Sequence, residues 1–207
     1  MAWEGAWPSI AKHGLLSTEA LLDLFECRGS DRNMILRHRR PESITITHPR
    51  LGMAVIRDQK PIDDTKLARC LTGGMAVSEW YALLNSKVFF WTTQERLFKL
   101  VCAAPYRSHR HCILTLDSRS LVSDYFADIT FAPINSGATF TDGTLRGFDT
   151  FTPFDRFPYD IYRAKGRKAT DVFVELTVSC GVNDILKYIL SVNIMQQYNV
   201  IEELYSI

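Results

Sequence analysis

Asp171-Val172-Phe173-Val174-Glu175-Leu176-Thr177-Val178 is the stretch that decides the fold. β-Branched and aromatic residues fill it, which predicts a strand over Val172 to Val178. Side chains alternate along a strand. Val172, Val174, Leu176 and Val178 therefore form one apolar face, and Phe173, Glu175 and Thr177 share the other. The apolar face belongs in a core, with antiparallel pairing on at least one side. Glu175 has two readings. On the plain one it lies on the solvent side of a half-wet antiparallel sheet. On the functional one that face lines a cleft, and Glu175 is a carboxylate held rigidly on a strand.

Working outward, Val88 to Trp91 is apolar on both faces, the pattern of a buried strand. Thr92-Thr93-Gln94-Glu95 matches a capping box and predicts a helix carrying Leu97, Leu100 and Val101. Ser43 to Thr47, Met53 to Ile56, Cys112 to Leu116, Ile129 to Ile134 and Leu190 to Ile194 read as further strands. Pro8 suits the first position of a short helix that Gly14 ends. Ser17 opens a second helix with Leu21, Leu22 and Phe25 on one face. Asp64 to Leu71, Ser78 to Leu84 (capped by Ser78), a short stretch near Leu121 to Phe126, and Ile185 to Ile189 read as helical. Asn135 to Lys168, rich in Gly, Pro, Asp and aromatics, predicts mostly loop. Strands and helices do not alternate regularly, which selects α+β over a doubly wound sheet. The length of 207 residues fits a single domain over 1–207, and 46% aliphatic and aromatic residues supply a sizeable core.

Composition excludes several classes. A net charge of +1 argues against a protein that coats nucleic acid non-specifically. The basic runs are short: Arg37 to Arg40, Tyr106 to His111 and Arg163 to Lys168. Five cysteines, with no CxxC, read as free thiols in a reducing compartment. No signal peptide opens the chain and no apolar run approaches the roughly 18 residues of a membrane span, so the expected location is the cytoplasm, with no membrane partner. GxGxxG, Walker, GxSxG and HExxH motifs are absent. His109 and His111 alone make a basic turn more readily than a metal site, and no metal is expected.

Five stretches taken together resemble a bacterial family of uncharacterised proteins related to the DarT-type ADP-ribosyltransferases. They are WPSIAKHGLLST (7–18), AVIRDQKP (54–61), NSKVFFWTTQERL (85–97), PINSGAT (133–139) and VFVELTVSCGVNDI (172–185). The resemblance implies a compact split β-sheet core of the ADP-ribosyltransferase type, antiparallel or mixed, with peripheral helices. It implies NAD as co-substrate, Glu175 as catalytic carboxylate, Arg57 at the NAD phosphates, and Asp58 and Gln59 among the cofactor-binding residues. It also implies an aromatic wall at nicotinamide from Phe90 or Trp91. The histidine-bearing first strand of such enzymes is represented here only by Met1 to Gly5.

The chemistry suits these residue types. Cleaving the nicotinamide–ribose bond builds an oxocarbenium-like centre that a carboxylate stabilises, and an arginine fork matches a pyrophosphate. Plain readings stand beside each. The IRDQ segment also serves as a structural salt-bridge corner, and Phe89 to Trp91 as core. Arg163, Lys165 and Arg167 lie just before the Glu175 strand, where that superfamily places its acceptor loop. There they would contact a DNA or RNA acceptor, or else form a solvated turn.

The leading expectation is therefore an NAD-dependent ADP-ribosyltransferase, with an antitoxin or immunity protein as partner. The alternatives are an NAD-dependent enzyme similar to RNA 2′-phosphotransferases, or a non-catalytic binding or immunity module on the same fold. Convergence of Arg57, Glu175 and an aromatic on one cleft separates the enzymes from the module.

Overall fold

The structure is a computed structural model that describes residues 1–139, 143–168 and 172–207. In chain order the elements are β1 (Ala2–Trp3), α1 (Trp7–His13), β2 (Leu15–Leu16), α2 (Thr18–Leu24) and α3 (Gly29–Arg37). The hairpin β3 (Ile44–His48) and β4 (Gly52–Ile56) follows, then α4 (Asp64–Cys70), α5 (Val77–Asn85), β5 (Lys87–Trp91) and α6 (Gln94–Val101). Next come β6 (His111–Leu116), α7 (Ser118–Asp124), β7 (Ile129–Ala132), β8 (Thr152–Pro153) and α8 (Tyr159–Ala164). The chain closes with β9 (Glu175–Ser179), β10 (Gly181–Val182), β11 (Ile189–Gln196) and β12 (Asn199–Ser206). This is an α+β chain.

Two four-stranded sheets carry the architecture, ordered β1-β6-β11-β12 and β5-β9-β7-β8, with every neighbouring pair antiparallel. β2 pairs with β10 in a small separate sheet. The sheets meet across the main core. Cys112, Val192 and Ile194 from one pack in the same cluster as Ile129, Phe131, Leu176 and Val178 from the other. The outer face of the second sheet is covered too, by Trp80, Tyr81 and Leu84 of α5, with Ala132 and Phe151 in the same cluster. β9 is thus an inner strand buried on both faces, and Leu176, Thr177 and Val178 are 7%, 0% and 0% exposed.

That double cover corrects the half-wet reading: Glu175 is 4% exposed. The strand is also shorter than predicted. β9 starts at Glu175, although the Val174 N–H already donates to the Ala132 carbonyl at 2.8 Å. Asp171 and positions 140–142 of the predicted loop lie outside the described residues.

Other corrections are local. The Thr92–Glu95 capping box does not form: Thr92 gives its hydroxyl to the carbonyls of Phe173 and Val174, and Thr93 makes no side-chain cap. Ser78 is not a cap either, because α5 begins one residue earlier and its first turn is closed by Glu79 accepting from the Ala76 N–H. Residues 185–187 form a 3₁₀ turn rather than a longer helix. The predicted 135–168 loop includes β8 and α8. The Ser17 and Gly14 caps form as the sequence predicts. Among the described residues no helix is long and apolar enough to cross a membrane.

Candidate functional site

Glu175 begins β9, directly opposite Trp91 on β5 and Ala132 on β7. Its strand address fixes the carboxylate beneath the loop that follows β7. One oxygen, Oε2, accepts two hydrogen bonds from Ser136, from the N–H at 3.1 Å and from the hydroxyl at 2.7 Å. Ser136 is held in turn by Arg146, whose Nη1 donates to the carbonyls of Ser136 (3.3 Å) and Ala138 (2.9 Å). Glu175, Ser136 and Arg146 are all buried, at 4%, 1% and 3% exposure. Burial raises the Glu175 pKa to about 7 against the opposing pull of the Ser136 hydrogen bonds and of Arg146 and Arg96. A carboxyl titrating there is able to give or take a proton at neutral pH. Beside it, Arg96, Arg167, Lys168 and Val174 line an open groove of about 420 Å³.

Arg57 lies elsewhere. It follows β4 and lines a cleft of about 310 Å³ where the two large sheets separate. Trp3 of β1 and Leu114 of β6 contribute from one sheet, Phe90 of β5 from the other, and His13 and Gly14 close one side. The guanidinium rests 4.9 Å from the centre of the Tyr106 ring. Burial lowers its pKa, yet it stays a cation, since arginine does not deprotonate in proteins. Among the described residues it forms no ion pair. A half-buried cation outside any ion pair, offset only through space by Asp58 and set beside aromatic walls, suits an anion attached to a ring. The volume of about 310 Å³ falls at the low end of ligand pockets, roughly 300–1,000 Å³.

Residues 1–189 match the family described as "Family of unknown function (DUF7002)". The chain belongs to that family. No curated protein and no solved structure matches the chain. The DUF7002 span takes in both sites and ends at the first residue of β11, so the β11–β12 hairpin lies almost wholly beyond it.

Within the DUF7002 span four of the candidate residues fall at two separate locations. Arg57 and Phe90 share the inter-sheet cleft. Glu175 and Arg167 belong to the second location, where Arg167 donates to the Pro133 carbonyl at 2.7 Å and lies over the Tyr162 ring. Trp91 stands opposite Glu175 in register, away from the cleft lining. Asp58 and Gln59 bond within the protein and are not among the residues lining the cleft. Asp58 accepts from the Tyr106 hydroxyl at 2.7 Å and from the Lys60 N–H, and Gln59 accepts from the Arg40 N–H. Arg163 and Lys165 are exposed at the end of α8 and its following turn. Among the described residues no group of His, Cys, Asp and Glu is placed to hold a metal.

Sequence reasoning missed Ser136, Arg146 and Tyr106. Ser136 sits inside PINSGAT (133–139), where nothing in the local pattern marks a serine that bonds a distant carboxylate. Arg146 carries no local signal, because its meaning depends on a fold that brings residue 146 against residues 136 and 138.

Proposed function

We propose that the chain binds a nucleotide-class ligand, with NAD as the first candidate, in the inter-sheet cleft. Arg57 takes a phosphate and Phe90 walls a ring. The observation that carries this reading is that Arg57 and Phe90, from separate stretches of sequence, line one cleft. The Arg57 guanidinium supplies the affinity for phosphate, and the largely apolar lining excludes water around it. Titration calorimetry with NAD tests it. Wild type should bind, and Arg57→Ala and Phe90→Ala should each weaken binding. Wild type that takes up no NAD, or variants that bind as tightly, would remove the reading.

A second reading is ADP-ribosyl transfer, to DNA, RNA or another cellular acceptor, with Glu175 as catalytic carboxylate. What favours it is the near-neutral titration of a strand-held carboxyl beside a groove bordered by Arg96, Arg167 and Lys168. What separates it from the first is the distribution of residues: Glu175 is not among those lining the Arg57 cleft. Incubation with labelled NAD and a panel of DNA, RNA and protein distinguishes the two. Transfer by wild type that falls by at least about a hundredfold in Glu175→Gln supports the enzyme. Binding with no turnover supports the module.

A further inference from the structure

Two of the basic runs in the sequence end at Arg57. From the first, Arg40 is 6% exposed and donates through Nε to the Arg57 carbonyl (3.0 Å) and through Nη1 to the Ile35 carbonyl (2.6 Å). Its own carbonyl accepts from the Gln59 N–H at 2.7 Å. Arg40 thereby fixes the backbone of the corner. It does nothing for the Arg57 side chain, which leaves the corner on several rotatable bonds.

The second run supplies what holds that side chain. Tyr106 is 5% exposed and touches two consecutive residues of the corner. Its ring lies under the Arg57 guanidinium, 4.9 Å from centroid to Cζ. Its hydroxyl donates to Asp58 Oδ1 at 2.7 Å. Its carbonyl meets His111 Nε2 at 3.1 Å, tying the residue to the first large sheet. The Asp58 carboxylate is turned onto this hydroxyl and the Lys60 and Ser43 groups and not into an ion pair with Arg57, although its charge still acts on the guanidinium through space.

We propose that Tyr106 is a positioning residue for Arg57, holding the guanidinium on the cleft wall before an anion arrives. The inference rests on the cleft reading above. A long side chain loses rotamer freedom when it grips a ligand. Parked on an aromatic face, Arg57 has lost that freedom already. The hydroxyl bond to Asp58 sets the ring's tilt, and the ring sets the guanidinium.

The test uses inorganic pyrophosphate and NAD as probes, with melting temperatures recorded for every variant. Tyr106→Leu removes ring and hydroxyl and should weaken both probes by about tenfold. Tyr106→Phe keeps the ring and should fall between Leu and wild type, about threefold weaker than wild type. A tyrosine that merely stabilises the fold would weaken binding whatever stands at residue 57. A positioning residue acts only through Arg57, so adding Tyr106→Leu or Tyr106→Phe to Arg57→Ala should weaken binding no further. Losses that add in the double variants, or Tyr106→Phe binding as tightly as wild type, overturn the proposal. If Tyr106→Leu does not fold, the Phe pair alone decides. Wild type that binds neither probe overturns the cleft reading itself, and this inference with it.

Discussion

Ser136 turns both its N–H and its hydroxyl on a single carboxylate oxygen of Glu175, at 3.1 and 2.7 Å. These bonds favour the ionised carboxylate, while burial disfavours it, and burial wins: the pKa stands at about 7 against an ordinary 4.5. The folded state therefore holds this proton more tightly than the unfolded chain. The resulting stability is fully present below about 4.5 and is lost as pH rises through about 7. Urea unfolding across that window should show wild type losing stability relative to Glu175→Gln, by on the order of 3 kcal/mol. Parallel curves for the two proteins would contradict the assigned environment.

Ser136→Ala keeps the N–H donor and deletes the hydroxyl. The Glu175 carboxyl should then titrate at still higher pH, because a bond that favours its charged form is gone. Carboxyl-carbon NMR titration of wild type and variant reads the direction. A downward or absent shift would show that the hydroxyl does not stabilise the carboxylate.

Gly14 ends α1 at φ +86°, where a Cβ would lie 2.6 Å from the Asn183 Cα and 2.7 Å from the Val182 carbonyl oxygen. Both obstacles are backbone and cannot rotate away. Gly14→Ala should cost more than about 1 kcal/mol, from positive φ and steric conflict together. Denaturant midpoints measure it, and a neutral result would mean that the α1–β10 approach is looser than described.

The two large sheets should respond unequally at two apolar positions. Phe131 on β7 is 2% exposed, inside the main core, whereas Ile201 on the edge strand β12 is 46% exposed. Phe131→Ala should cost about 3–5 kcal/mol, and Ile201→Ala should stay within about 0.5 kcal/mol. Comparable losses would indicate that β12 is covered in solution.

Much of the fold is legible in local pattern. Val88 to Trp91 and Ser43 to Thr47 announce their strands because β-branched and aromatic residues fit a pleated surface. α3 escaped because Gly29–Arg37 is mostly polar, with only Ile35 buried, and its C-terminal end is held from a distance by Arg40 and Asn85. β12 escaped because it is an exposed edge with seven of its eight residues open to solvent, so no inward-facing pattern marks it. Alternation along 172–178 found the core face, yet could not show that α5 covers the opposite one. The burial of Glu175 and its bond to Ser136 depend on that cover. Arg57 was legible as a chemical type, while its separation from Glu175 is a property of the tertiary fold.

The most direct test of the cleft is the NAD-dependent melting shift of three proteins: wild type, Arg57→Ala and Glu175→Gln. A ligand that binds only the folded state at a hundredfold excess over its dissociation constant adds about 2.7 kcal/mol of stability. Wild type and Glu175→Gln should both shift upward by that order, since Glu175 lies outside the cleft lining. Arg57→Ala should shift clearly less, while melting near wild type without ligand. An equal shift in Arg57→Ala, or its loss in Glu175→Gln alone, would contradict the placement of the ligand beside Arg57.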